Sequence, residues 1–203
     1  FIVQIGSAVT IPTPGDGTVS EAKIASGAVT TAKIADDAVT MAKIANDAVG
    51  ANQIANNADF NINGVNVGKG TNSVSGNTVL GELALDDAVT GGNNTVIGLR
   101  AMTANTSGFR NVAVGHLALL QNTSGADNVA IGEQALDANT SGSSNVGVGR
   151  NALGSNTSAD NNTGIGHDAL LSNTTGTSNV GIGYEALASN TTANNNTAIG
   201  RGA

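Results

Sequence analysis

An unbroken 17-residue repeat runs from Asn77 to Ala203, and no other feature of the chain constrains its fold as strongly. Units begin at Asn77, Asn94, Asn111, Asn128, Asn145, Asn162, Asn179 and Asn196, the last one stopping at Ala203. With the first Asn as column one, column five is always Gly, including Gly98, Gly115, Gly132, Gly149, Gly166 and Gly183. Column eight is always Ala, column nine is Leu apart from Met102, and columns twelve and thirteen read Asn-Thr from Asn105 onward. No insertion or deletion shifts the register. A period kept this strictly means that each unit stacks on the next in the same way, since one extra residue would misplace every later side chain. A single unit is too small to bury a core, whereas a stack buries a continuous one.

Columns two to four are short, rich in Val, Ile and Thr, and alternate, which predicts one strand of three or four residues per unit. Gly at column five permits a bend or a close backbone approach. The "ALxxNT" stretch fits either a single helical turn or a second short strand, and "NTSG" is turn chemistry. The expected fold is therefore all-β, a parallel β-roll or β-solenoid rising about 4.8 Å per coil. Its expected core pairs column four (Ile97, Val114, Ile131, Val148, Ile165, Ile182) with column nine (Leu119, Leu136, Leu153, Leu170, Leu187). Column three shrinks from Val79 and Val96 through Ala113 and Ala130 to Gly147, Gly164 and Gly181. Residues that small suit either a face between chains, near a symmetry axis, or a crowded interior corner of one chain, and the first is the expectation. The recurring Asn residues suit side-chain ladders; as Asn-Thr-Ser triplets they also match glycosylation acceptors.

Residues 16–59 keep a different rhythm, of ten residues. "GTVSEAKIAS", "GAVTTAKIAD", "DAVTMAKIAN" and "DAVGANQIAN" align Val19, Val29, Val39 and Val49, and likewise Ile24, Ile34, Ile44 and Ile54. Two sizeable apolar residues in ten are too few for a monomeric core, so three chains pooling them along one axis are expected. Residues 1–15 read as the end of an upstream domain with a linker, and 60–76 as a junction to the 17-residue repeats of 77–203. The opening "FIVQI" and the interrupted last unit lead to the expectation that the chain is a segment of a longer fibre protein.

Composition excludes several functions. Only 11% of residues are charged and 2% aromatic, with a net charge of −7 and no Cys. Ordinary domains carry about 25% charged residues. A basic stripe for nucleic acid is missing, as is any apolar run long enough to span a membrane. Thiolate metal sites and disulfides are excluded. No acid pair, Ser-His set, metal cluster or phosphate loop converges, so neither enzyme activity nor a cofactor is expected. A hexapeptide acyltransferase would need an apolar residue every six positions. His116 and His167 both occupy column six, which elsewhere holds Glu82, Leu99, Glu133, Arg150, Tyr184 and Arg201, a solvent-face pattern. The "GGxGxD" loop of calcium-binding solenoids is absent. The Thr ladder (Thr106, Thr123, Thr140, Thr157, Thr174, Thr191) keeps an ice-binding solenoid as a minor alternative.

The order "DGTVSEAKIASGAVTTAKIADDAVT", "INGVNVGKG", then "NTAIG" units with "ALxxNTSG" resembles the shafts of bacteriophage tail fibres of the marine and cyanobacterial type, over nearly the whole chain. The "NVAIG" units also resemble head repeats of trimeric autotransporter adhesins, which form left-handed parallel β-rolls. The resemblance implies an elongated parallel homotrimer on a virion tail, joined to neighbouring fibre or tail proteins. It further implies attachment to a host surface glycan or protein, with no catalytic residue. A bacterial trimeric surface adhesin or extracellular filament is the alternative.

Overall fold

The structure is a computed structural model that describes residues 60–62, 65–70, 73–87 and 89–203. The decapeptide segment, with Val19, Ile24, Val29, Ile34, Val39, Ile44, Val49 and Ile54, lies outside the described residues, as does the segment 1–15. The described part is all-β: one ten-stranded sheet whose strands follow one another in chain order. The strands are β1 (Phe60–Ile62), β2 (Val65–Gly68), β3 (Thr78–Gly81), β4 (Thr95–Ile97), β5 (Val112–Val114), β6 (Val129–Ile131), β7 (Val146–Val148), β8 (Thr163–Ile165), β9 (Val180–Ile182) and β10 (Thr197–Ile199). Strands β3 to β10 are parallel and pair 17 residues apart, as Val112↔Val129 and Val129↔Val146 illustrate. This is a parallel β-solenoid in which each 17-residue unit is one coil. Seven strand-to-strand steps span roughly 34 Å at the ordinary spacing of parallel strands.

At its N-terminal edge the solenoid changes hand-hold. β2 pairs antiparallel with β3, and β1 antiparallel with β2. The junction read from the sequence at 60–76 thus supplies a hairpin that covers the open edge of β3, a way of managing unpaired strand groups.

Outside the strand, each coil is a run of turns, neither helix nor second strand. Three non-glycine residues per complete coil hold positive φ, at columns seven, nine and seventeen; in the coil from Asn128 these are Gln134 at 56°, Leu136 at 53° and Ser144 at 59°. Such conformations cost about 1 kcal/mol or more each. They persist because they aim backbone N–H groups up and down the stack. Gln134 N–H donates to His116 O at 2.9 Å, Leu136 N–H to Ala152 O at 3.0 Å and Ser144 N–H to Ala126 O at 3.0 Å. Column five needs glycine for a sharper reason. Gly132 has φ of 134°, and a β-carbon there would lie 2.6 Å from the Gly149 carbonyl oxygen.

The core corrects the sequence reading. Column three, expected between chains, faces the coil interior: Val79, Val96, Ala113 and Ala130 are buried, and Gly147, Gly164 and Gly181 continue the line. Column four, expected in the core, faces outward. Ile97, Ile131 and Ile165 are about two-fifths exposed, at 38%, 40% and 38%, and Val114, Val148 and Ile182 are half-buried. The cause is room. Column nine fills the thin interior: Leu119, Leu136, Leu153 and Leu170 have no exposed surface, and Leu187 packs against the same cluster. A β-carbon at Gly147 would meet Leu136 Cγ at 3.3 Å and Ala152 O at 3.0 Å. A Leu or Met in every complete coil leaves room beside it for nothing larger than the Val of the first two coils, so strand alternation turns the column-four residues outward.

Leu136→Ala is expected to cost about 3 kcal/mol per chain, by lost burial and the cavity left between neighbouring coils. Glu133, exposed on the same coil, should tolerate Ala within about 0.5 kcal/mol. Equilibrium denaturation of both variants checks the pair, and equal shifts would contradict this core.

Candidate functional site

The other half of the coil interior is polar and closed. Column-one and column-twelve Asn side chains form two ladders from coil to coil. Asn145 donates its backbone N–H (3.0 Å) and its Nδ2 (3.2 Å) to Asn128 Oδ1, and its Nδ2 also to Ala159 O at 2.8 Å. Asn128 repeats the pattern on Asn111. In the second ladder Asn139 Nδ2 donates to Asn122 Oδ1 at 2.8 Å, and Asn156 Nδ2 to Asn139 Oδ1 at 3.0 Å. Column-fifteen carbonyls such as Gly142 O accept from both ladders, and only Gly or Ala occupies that column, as at Ala159 and Ala193. In every such Asn-Asn contact the donor belongs to the C-terminal coil and the acceptor to the preceding one. The structural reading of the Asn residues is thereby favoured over the glycosylation reading. Of the six Asn residues that begin Asn-Thr-Ser or Asn-Thr-Thr triplets, Asn105, Asn122, Asn139, Asn156 and Asn173 are wholly buried and bonded, and Asn190 is half-buried and bonded. The Thr column is likewise engaged. Thr106, Thr123, Thr140, Thr157 and Thr174 each donate their hydroxyl to the carbonyl of the Thr one coil later. Those hydroxyl protons tie coils together.

Two outer faces remain that differ in chemistry. One is the sheet face, where columns two and four project: Val112 with Val114, Val129 with Ile131, Val146 with Val148, and Val180 with Ile182. Column four makes it apolar along the whole solenoid, with Leu80 and Ile199 at its ends, 43% and 71% exposed, while column two holds Thr78, Thr95, Thr163 and Thr197 in the other coils. Surfaces of this kind are uncommon on monomers unless something covers them. Sequence reasoning missed it because column four looked like core.

The second is the ridge just after the column-five Gly, where columns six and seven vary. His116 Nδ1 stands 3.7 Å from Glu133 Oε1. His167 Nδ1 lies 3.0 Å from Asp168 Oδ2 yet is not aligned for a hydrogen bond. His167 stacks on Tyr184, with ring centroids 5.3 Å apart and planes 12° from parallel. A hydrogen bond to the Glu185 carboxylate, and the charge behind it, raise the Tyr184 hydroxyl above its ordinary pKa. Away from this ridge, Arg110 grips Asp127 with two hydrogen bonds of 2.7 and 2.8 Å, and that bonding holds the Asp127 carboxyl below the usual range. Both partners are near half exposure, so the pair contributes little to stability.

No convergent set of catalytic groups forms among the described residues, nor any group of three or more His, Asp or Glu placed to hold a metal. No helix among them is long and apolar enough to cross a membrane.

One carboxylate reports on the coil itself. Desolvation raises the pKa of Asp137 from its ordinary 3.8, against hydrogen bonds from the backbone N–H groups of Asp137 and Ala138. A raised native pKa means that the folded state holds the proton more tightly than the unfolded chain. The resulting penalty is complete above the native pKa and is relieved as pH falls through it toward the unfolded value. Asp137→Asn is therefore expected to raise the thermal midpoint at neutral pH, with the gap to the wild type closing on acidification. Melting curves across that range check the sign. A gap that widens in acid contradicts it.

Comparison of the chain with protein families, with curated proteins and with solved structures gave no match.

Proposed function

We propose that this chain is the structural shaft of an extracellular fibre, a parallel homotrimer that extends from a viral tail toward a host cell and helps attach to it. The observation that carries the reading is the apolar sheet face. A row of Leu, Ile and Val at column four runs along the solenoid beside a column-two row of Val and Thr, in a chain whose interior is already filled without them. Three copies in parallel would turn these rows toward a common axis and bury each against its equivalents, as closed rotational symmetry requires. The reading assigns no catalysis: the coil spends its polar groups on holding neighbouring coils. The phage assignment rests on the order of sequence segments from "DGTVSEAKIASGAVTTAKIADDAVT" through "INGVNVGKG" to the "NTAIG" units. A bacterial trimeric surface adhesin with the same shaft is the alternative.

Native mass and negative-stain outline of the 203-residue chain test the assembly, and decoration of host cells or of virion tails with antibody against it tests the place. A particle of three copies and rod-like outline, found on tails, is the expected result. A monomer in native buffer overturns the shaft as proposed, and label on bacterial envelopes instead of virions moves it to the adhesin alternative.

A further inference from the structure

Columns that coil geometry constrains stay the same from repeat to repeat, and columns six and seven, immediately beyond the fixed Gly, are among those that vary. In four successive coils column six reads Arg150, His167, Tyr184 and Arg201. The four are spaced by one coil, about 4.8 Å each. The His167 and Tyr184 rings stack, and the Arg201 guanidinium stands 5.2 Å from the Tyr184 centroid. His167 Nδ1 is buried against Asp168, at 3.0 Å from its Oδ2, so the stripe's outward donors are chiefly the guanidinium groups of Arg150 and Arg201 at its ends. Neither Arg150 nor Arg201 makes an ion pair among the described residues, although the chain carries seven more acids than bases. The carboxylates beside them are engaged locally: Asp168 accepts from Asn151 Nδ2 at 2.8 Å, and Glu185 bonds the Tyr184 hydroxyl. Arg110, away from this ridge, is by contrast locked to Asp127.

We infer that the ridge Arg150–His167–Tyr184–Arg201 is a binding stripe for an extended anionic polysaccharide lying along the solenoid axis. Two guanidinium groups three coils apart, with the stacked His167 and Tyr184 rings between them, suit a linear polymer of hydroxyl-bearing rings with spaced acid groups. An added peptide strand would instead need an open sheet edge, which this ridge is not. Each stripe is short and solvent-exposed, so single-chain affinity is weak and copies of the chain in one fibre raise it by multivalency. The inference deepens the attachment reading and rests on it for the partner being a cell-surface polymer.

Binding of the full chain to immobilised polygalacturonate, dextran sulfate and neutral dextran tests the stripe. Binding to one or both acidic polymers above dextran is expected, and the two arms tell carboxylate from sulfate recognition. Arg150→Gln with Arg201→Gln should weaken it about tenfold. Arg110→Gln, which removes a positive charge elsewhere, should change it less than about twofold. Equal losses in the two variants, or no preference for either acidic polymer, overturn the stripe. A rod of three copies without such binding would leave the shaft reading standing and remove only this inference.

Discussion

Asn128→Asp is expected to unfold the repeat region under conditions where the wild type is stable, a loss of about 5 kcal/mol or more per chain. The substitution barely changes shape. It changes what one buried side chain does. Asn128 Nδ2 donates to Asn111 Oδ1 at 3.1 Å and to Gly142 O at 2.8 Å, while its Oδ1 accepts two bonds from Asn145. An aspartate keeps the accepting role and loses the donating one. It sets a carboxylate oxygen against the two acceptors that the amide had satisfied, at a residue with no exposed surface. Placing a charge there without a partner is among the most destabilising single changes a core admits. Part of the loss should return in acid, because a protonated carboxyl again offers one donor and the buried group takes up its proton above the ordinary aspartate pKa. Denaturant titration at neutral and acid pH measures both effects. An Asn128→Asp protein as stable as the wild type at neutral pH would falsify the ladder. Ser124, an exposed residue one column beyond the Thr ladder, should accept Asp within about 0.5 kcal/mol.

The ladder was legible in the sequence, because a polar residue that recurs at a fixed place in every unit of a stack has its own copy above and below it. The parallel coil, its 17-residue pitch and the close approach at Gly132 were legible for the same reason. The orientation of the strand was not. Alternation assigns columns three and four to opposite faces without saying which face is inside, and size misled: Ile131 is larger than Ala130, yet Ala130 is the buried one. Deciding between them requires knowing that Leu136 already occupies the interior, a fact of the folded cross-section. The "ALxxNT" stretch was undecidable for a related reason. Leucine in a left-handed conformation, as at Leu119 and Leu136, violates local preference, and only the bonds to adjacent coils hold it there.

The same outward turn of column four leads to the second large effect. Ile131→Asp combined with Ile165→Asp is expected to convert a three-copy particle into single chains without unfolding the coil. Both isoleucines are about two-fifths exposed in one chain, so each solenoid tolerates the charge at its surface. In a trimer with the sheet faces inward, the six new carboxylates would cluster about one axis, stripped of water and close to like charges. Burial and mutual repulsion then act together. The coil has separate reasons to persist, since Leu136, Leu153 and the Asn ladders lie on the far side of the sheet from these positions. Native mass distinguishes the outcomes, and circular dichroism with thermal melting shows whether the coil survives. Monomers with the β signal retained place the subunit contact on this face. A variant still containing three copies would mean that the contact lies elsewhere, and that the valine and isoleucine rows face something other than copies of this chain.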